Sequence, residues 1–144
     1  MGIASGKRPT TTEGAATLRL LLVEDHAAFR GALAFMLNLQ PSMEVVAQAG
    51  FVAEGREEMA RGGIDAAVVD VPLPDQGAAE MVRDLVGANP SIPVLVLTHP
   101  EDEMVRERFL AAGASEVLPK SDSLGEILAA VGRLGREEER EEAG

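Results

Sequence analysis

Five side chains in this 144-residue sequence have the types and the spacing to do chemistry together: Glu24, Asp25, Asp70, Thr98 and Lys120. Three are carboxylates, one is a hydroxyl and one an amine. Each stands where a short apolar run ends. Glu24 and Asp25 follow the first run, Asp70 ends the third, Thr98 ends the fourth and Lys120 follows the fifth. Taken singly, each is simply a polar residue where a strand meets solvent. Taken together they differ, because three carboxylates in one crevice repel one another unless a cation relieves them. An all-oxygen donor set suits Mg2+, an ion that retains waters and bridges to phosphoryl oxygens.

The elements that must position these residues are legible in the same text. Apolar runs at 18–23, 44–48, 66–69, 94–97 and 116–118 alternate with helical segments. Three of the runs are nearly uniform in Val, Leu or Ala, as strands buried on both faces of a parallel sheet require. The first helical segment carries Phe29, Leu33 and Leu37 as one apolar stripe. The second, near 52–61, has its face interrupted by Gly55 and Arg56. The third presents Met81, Val82, Leu85 and Val86, and the fourth Val105, Phe109 and Leu110 before Gly113, which is placed to end it. The fifth runs from about 124 to 134, with Leu124, Ile127, Leu128 and Val131 on one face and a capping box from Ser123 and Glu126 at its start. Strands and helices alternating at this spacing imply βα units with right-handed crossovers and a three-layer α/β sandwich. Ligands in such sheets sit beyond the carboxyl ends of the strands, where strand order reverses. Residues 1–16, rich in Gly, Thr and Ala without periodicity, are expected to form a flexible leader. The run 136–144 is an acidic tail, a solvated helix end or a disordered one.

Composition narrows the function. The formal net charge of -11 disfavours nucleic-acid binding, which draws on Lys and Arg to neutralise phosphates. Without cysteine, neither disulfides nor a thiolate metal site can form. No apolar run is long enough to span a bilayer, and the N-terminus lacks the apolar stretch of a signal peptide, so the expectation is a cytoplasmic protein with no membrane partner. Met36, Met59, Met81 and Met104 read as core and surface packing.

Four stretches carry a family resemblance: LLLVEDH at 20–26, VDVPLP at 69–74, VLVLT at 94–98, and AAGAS at 111–115 continuing to Lys120. Together they resemble the receiver domain of two-component response regulators, most closely the receivers of LuxR-type regulators. The resemblance covers 18–134 without insertion or deletion, within a domain assigned to 17–135. It implies a doubly wound, flavodoxin-like (βα)5 fold with five parallel strands in the order 2-1-3-4-5. It implies that Asp70 accepts a phosphoryl group from a sensor histidine kinase. It also implies that Asp25 and Asp70 ligate Mg2+ directly, with Glu24 acting through water and the carbonyl of Pro72 as a further ligand. Thr98 would hydrogen-bond the phosphoryl group, and Lys120 would pair first with Asp70 and then with the phosphoryl oxygens. The domain would assist its own phosphotransfer, and its hydrolysis, without being a conventional enzyme. Its partners would be that kinase and a downstream protein. A homodimer would need exposed apolar residues on the first or fifth helix.

Some positions depart from the family. Ala78 stands where glycine is usual, Val117 where an aromatic ring usually swings inward, and His99 where a small residue often follows the threonine. His26 is typical of the loop rather than a ligand or base, and Pro74 fits the turn into the third helix. The departures motivate a second reading, a degenerate receiver that binds proteins without phosphorylation, against which the intact set Asp25, Asp70, Thr98 and Lys120 speaks. A flavodoxin would find Glu24 and Asp25 repelling its flavin phosphate and no Trp or Tyr to stack on the ring. A haloacid-dehalogenase phosphatase would need a second Asp where Pro72 stands. About ten mostly acidic residues after the fifth helix are too few, and of the wrong sign, for a helix-turn-helix.

Overall fold

The structure is a computed structural model that describes residues 17–70, 77–98, 103–120 and 123–143, the last eight of these by their backbone alone. In chain order its elements are β1 (Leu18–Val23), α1 (Ala27–Asn38), β2 (Met43–Ala49), α2 (Val52–Arg61), β3 (Ala66–Asp70), α3 (Ala78–Ala88), β4 (Val94–Thr98), α4 (Glu103–Ala112), β5 (Glu116–Pro119) and α5 (Leu124–Ala143). The five strands form one parallel sheet in the order β2-β1-β3-β4-β5, which is the 2-1-3-4-5 order the resemblance implied.

Alternation along the strands divides the core in two, since successive side chains point to opposite faces. Leu21, Val23, Ala67, Val69, Val94 and Val96 pack with Met81, Val82 and Leu85 of α3 and Phe109 of α4. Leu20, Leu22, Ala66, Val68, Leu95 and Leu97 pack on the other face with Leu33, Ala34 and Leu37 of α1 and Ile127, Ala130, Val131 and Leu134 of α5. Both faces are covered, so β3 and β4 are buried at every position.

Local chemistry sets several boundaries. Gly113, at φ 118°, ends α4 with its own N–H on the Leu110 carbonyl and that of Ala114 on Phe109, a Schellman pairing. Ser123 Oγ accepts from the Glu126 N–H at 3.2 Å, as the capping box requires.

Three expectations are corrected. Phe29 is not part of the buried stripe of α1: it is 40% exposed, and the stripe consists of Leu33, Ala34 and Leu37. The first turn of α1 stands at the rim of the sheet, and there Arg30 rather than Phe29 reaches back, to the carbonyl of Glu24. Leu124 likewise opens α5 at 36% exposure, outside the buried face formed by Ile127, Ala130, Val131 and Leu134. Finally, α5 continues past 134 to Ala143, because 136–143 consists of Glu, Arg and Ala, good helix formers with no glycine or proline among them. The segment 1–16 lies outside the described residues.

Candidate functional site

The parallel register sets Val23 beside Val69 and Asp70 beside Leu97. The residue after β1 and the last residue of β3 therefore meet at the carboxyl edge, between the two strands where the order reverses. Glu24 and Asp70 are buried there, 1% and 3% exposed, and Thr98 at the end of β4 is buried beside them in the sheet order. Thr98 also anchors the next corner, its carbonyl accepting from the Lys120 N–H at 2.7 Å. That bond turns Lys120 back over the strand ends, and its Nζ lies 2.6 Å from Asp70 Oδ1.

Glu24 is held from three sides. Its N–H donates to the Ala49 carbonyl at 2.9 Å, its own carbonyl accepts from Arg30 Nη1 at 2.7 Å, and its Oε2 accepts from the His26 N–H at 2.8 Å. The remaining oxygen, Oε1, and both carboxylate oxygens of Asp70 are buried; apart from Lys120 Nζ beside Oδ1 and the contact between the two carboxyls, no donor reaches them among the described residues. Burial pushes the Glu24 carboxyl up to about 8. Hydrogen bonding to Asp70 and the charge of Asp70 push the same way, against the His26 N–H and Lys120. At neutral pH Glu24 thus retains a proton, the hydrogen that lets two carboxyls approach each other.

Buried carboxyl oxygens with so few donors fit a hard divalent cation, which takes oxygen ligands and relieves their repulsion. Of the three carboxylates expected to converge, the buried ones are Glu24 and Asp70. Asp25 is exposed, because the chain turns outward immediately after Glu24 turns in, and no three acidic, His or Cys side chains gather as a metal cage among the described residues. Pro72, Pro74 and His99 lie outside the described residues.

The positions that departed from the family pattern also find places. The glycine with a left-handed backbone before α3 is Gly77, at φ 83°, so Ala78 already belongs to the helix and needs no special conformation. Val117 is 5% exposed, packed in the core with the α3 and α4 side chains. His26 caps α1, its Nδ1 accepting from the Phe29 N–H at 3.2 Å. Sequence reasoning missed this cap, although His26 stands directly before the helix. It also missed Arg30, which no local pattern marks as a partner of a carbonyl six residues earlier.

Comparison with known proteins agrees with this geometry. The family model for the response regulator receiver domain matches residues 20–132. The chain is 36% identical over 119 residues to the DNA-binding transcriptional activator DevR/DosR of Mycobacterium tuberculosis, covering 82% of this chain and 54% of that protein. It is 34% identical over 126 residues to the response regulator MprA of Mycobacterium leprae, covering 88% of this chain and 54% of that one. The chain thus spans about half the length of these curated relatives. Among solved structures, a CheY-like receiver domain protein from Methanospirillum hungatei JF-1 superposes with a TM-score of 0.78 at 21% identity, covering 88% of this chain and 99% of that one, a likeness of fold. A LuxR-family two-component response regulator from Aurantimonas sp. SI85-9A1 gives 0.77 at 26% identity, covering 84% and 86%.

Proposed function

The chain belongs to the receiver domains of response regulators, and from that membership we propose that it is switched by transfer of a phosphoryl group from a sensor histidine kinase to Asp70. The observation that carries this reading is the Lys120–Asp70 contact of 2.6 Å at a buried carboxylate on the sheet's switch point. The Lys120 ammonium lies against the Asp70 carboxylate, the oxygen nucleophile of this reading, in surroundings that push its neighbour Glu24 towards the neutral form.

The step is an in-line displacement. An Asp70 carboxylate oxygen forms a bond to phosphorus as the bond from phosphorus to the kinase's imidazole nitrogen breaks, and the electron pair leaves with that nitrogen. The product is an aspartyl phosphate. Lys120 Nζ can move from the carboxylate to the phosphoryl oxygens, and the Thr98 hydroxyl stands at the neighbouring strand end to donate to the same group. Glu24, Asp25, Asp70 and the carbonyl of Pro72 would hold Mg2+. When bound, the ion neutralises charge on the acids and on the phosphoryl oxygens. In this reading the domain assists its own phosphotransfer and hydrolysis.

The signal would pass to a downstream protein in the cytoplasm; no helix among the described residues is long and apolar enough to cross a membrane. The net charge of -11 argues against nucleic acid as a direct ligand of this chain. Exposed Phe35 and Leu39 on and just after α1, at 62% and 58%, supply the apolar surface that a homodimer needs. Sedimentation of the parent beside Phe35→Glu tests that association, and identical distributions would refute it.

Intact mass after incubation with acetyl phosphate, with and without Mg2+, tests the phosphotransfer. A Mg2+-dependent gain of one phosphoryl group in the parent, absent from Asp70→Asn, is expected. No gain, repeated with a histidine kinase as donor, would overturn the mechanism in favour of a phosphorylation-independent interaction module.

A further inference from the structure

Arg30 is half-buried in the first turn of α1, and its guanidinium donates to the Glu24 carbonyl at 2.7 Å. That carbonyl belongs to the peptide joining Glu24 to Asp25, so its direction sets how both acids leave the chain. The other polar groups of Glu24 are fixed by Ala49 and His26, and Oε1 alone is left for a ligand.

Residue 50 supplies a second, independent observation. Gly50 follows β2, and its N–H donates to Glu54 Oε1 of α2 at 2.8 Å. Its backbone is not in the left-handed region, unlike Gly62, Gly63, Gly77 and Gly113, so conformation does not demand glycine there. A Cβ at residue 50 would lie 3.0 Å from Arg30 Nη1 and 3.9 Å from Arg30 Cζ, so the guanidinium would have to give way from its place on the Glu24 carbonyl. Gly50 therefore keeps open the notch through which Arg30 reaches the Glu24 carbonyl.

We propose that Arg30 is a positioning residue for the acidic edge: seated in the notch left by Gly50, it fixes the Glu24–Asp25 peptide and with it the direction in which the Glu24 carboxyl meets a divalent cation. The proposal rests on the reading of this edge as a cation-assisted phosphoacceptor. Arg30 itself touches neither cation nor phosphoryl group. It acts as outer partners of metal ligands do, by limiting the directions those ligands can take.

Mn2+ alone is the probe, its free concentration read by electron paramagnetic resonance in titrations of the full chain. Arg30→Met and Gly50→Ala are each expected to weaken Mn2+ binding about tenfold. The double variant should be no weaker than either single one, because both remove the same contact. Arg30→Lys, whose ammonium can still donate to a carbonyl, should recover part of the loss. Urea unfolding in EDTA should place Gly50→Ala close to the parent, since the new methyl meets only the far end of a flexible side chain.

Losses that add in the double variant, or an Arg30→Met chain that binds Mn2+ like the parent, would overturn the proposal while leaving the phosphoacceptor reading in place. A parent chain that binds no Mn2+ and gains no phosphoryl group from acetyl phosphate would sink that reading, and this inference with it.

Discussion

Replacing Glu24 by glutamine should make the protein more stable, and the gain should grow with pH. The Glu24 carboxyl titrates near 4.5 in the unfolded chain and near 8 in the folded one, raised by burial first and by Asp70 second. A carboxyl raised on folding favours the folded state fully below the unfolded value. It loses that contribution as pH climbs to the folded value, because the unfolded chain releases a proton that the folded chain keeps. At about 1.4 kcal/mol per unit, the loss between pH 4.5 and pH 7 is about 3 kcal/mol. Glutamine does not titrate, still accepts from the His26 N–H through its carbonyl, and offers an NH2 to Asp70 where the carboxyl hydrogen stood. Groups far from Glu24 are common to both proteins and cancel, so the difference between variant and parent reports Glu24 together with the neighbours it interacts with. Urea unfolding in EDTA, followed by far-UV circular dichroism because the chain has no Trp or Tyr, should show a small difference at pH 5. By pH 7 the advantage for Glu24→Gln should reach about 3 kcal/mol. Added Mg2+ should stabilise the parent more than the variant, since a ligand that prefers the folded state supplies its binding energy there. A difference that stays flat from pH 5 to pH 8, or a variant less stable at pH 7, would refute the account of a crowded, buried acid pair.

Lys120→Met removes the cation beside a buried carboxylate and should cost about 3 kcal/mol at pH 7, read from the urea midpoint. Gly55→Ala places a Cβ 2.6 Å from Met81 Cε and 3.2 Å from Cγ2 of the β-branched Val23 in the core, a strain set against about 1 kcal/mol gained in helix propensity, and should lower the thermal midpoint by the equivalent of about 1 kcal/mol. Val117→Tyr, which supplies the ring the family usually has, should destabilise by about 1–3 kcal/mol because Val117 is packed in the core; an unchanged unfolding curve would show that the pocket for such a ring is already present.

The division between sequence and tertiary structure can be followed residue by residue. The Val- and Leu-rich runs were enough to announce a parallel sheet, because a strand covered on both faces has no polar side to show, and β3 and β4 are buried throughout. Ser123 and Gly113 marked helix ends because caps act within a few residues of chain, the range over which sequence is local. The alignment of polar residues with strand ends likewise made Asp70, Thr98 and Lys120 visible in advance.

What the sequence left undecided depends on residues distant along the chain. Glu24 and Asp25 are equivalent as letters, yet one is buried with its carboxyl raised to about 8 and the other stands in solvent. Only the direction of the turn after β1 separates them. Phe29 read as part of the apolar stripe of the first helix, yet it is exposed, while Arg30 beside it at the rim of the sheet finds a carbonyl to bind. Gly50 carries no signal until folding brings α1 beside the end of β2. The pattern of apolar residues determines which elements form and which faces they bury, because hydrophobic burial is non-directional and sums over many side chains. Hydrogen bonds and charge pairs depend on direction and distance, so the partners of Glu24, Asp70 and Arg30 were decided only when the strands took their register.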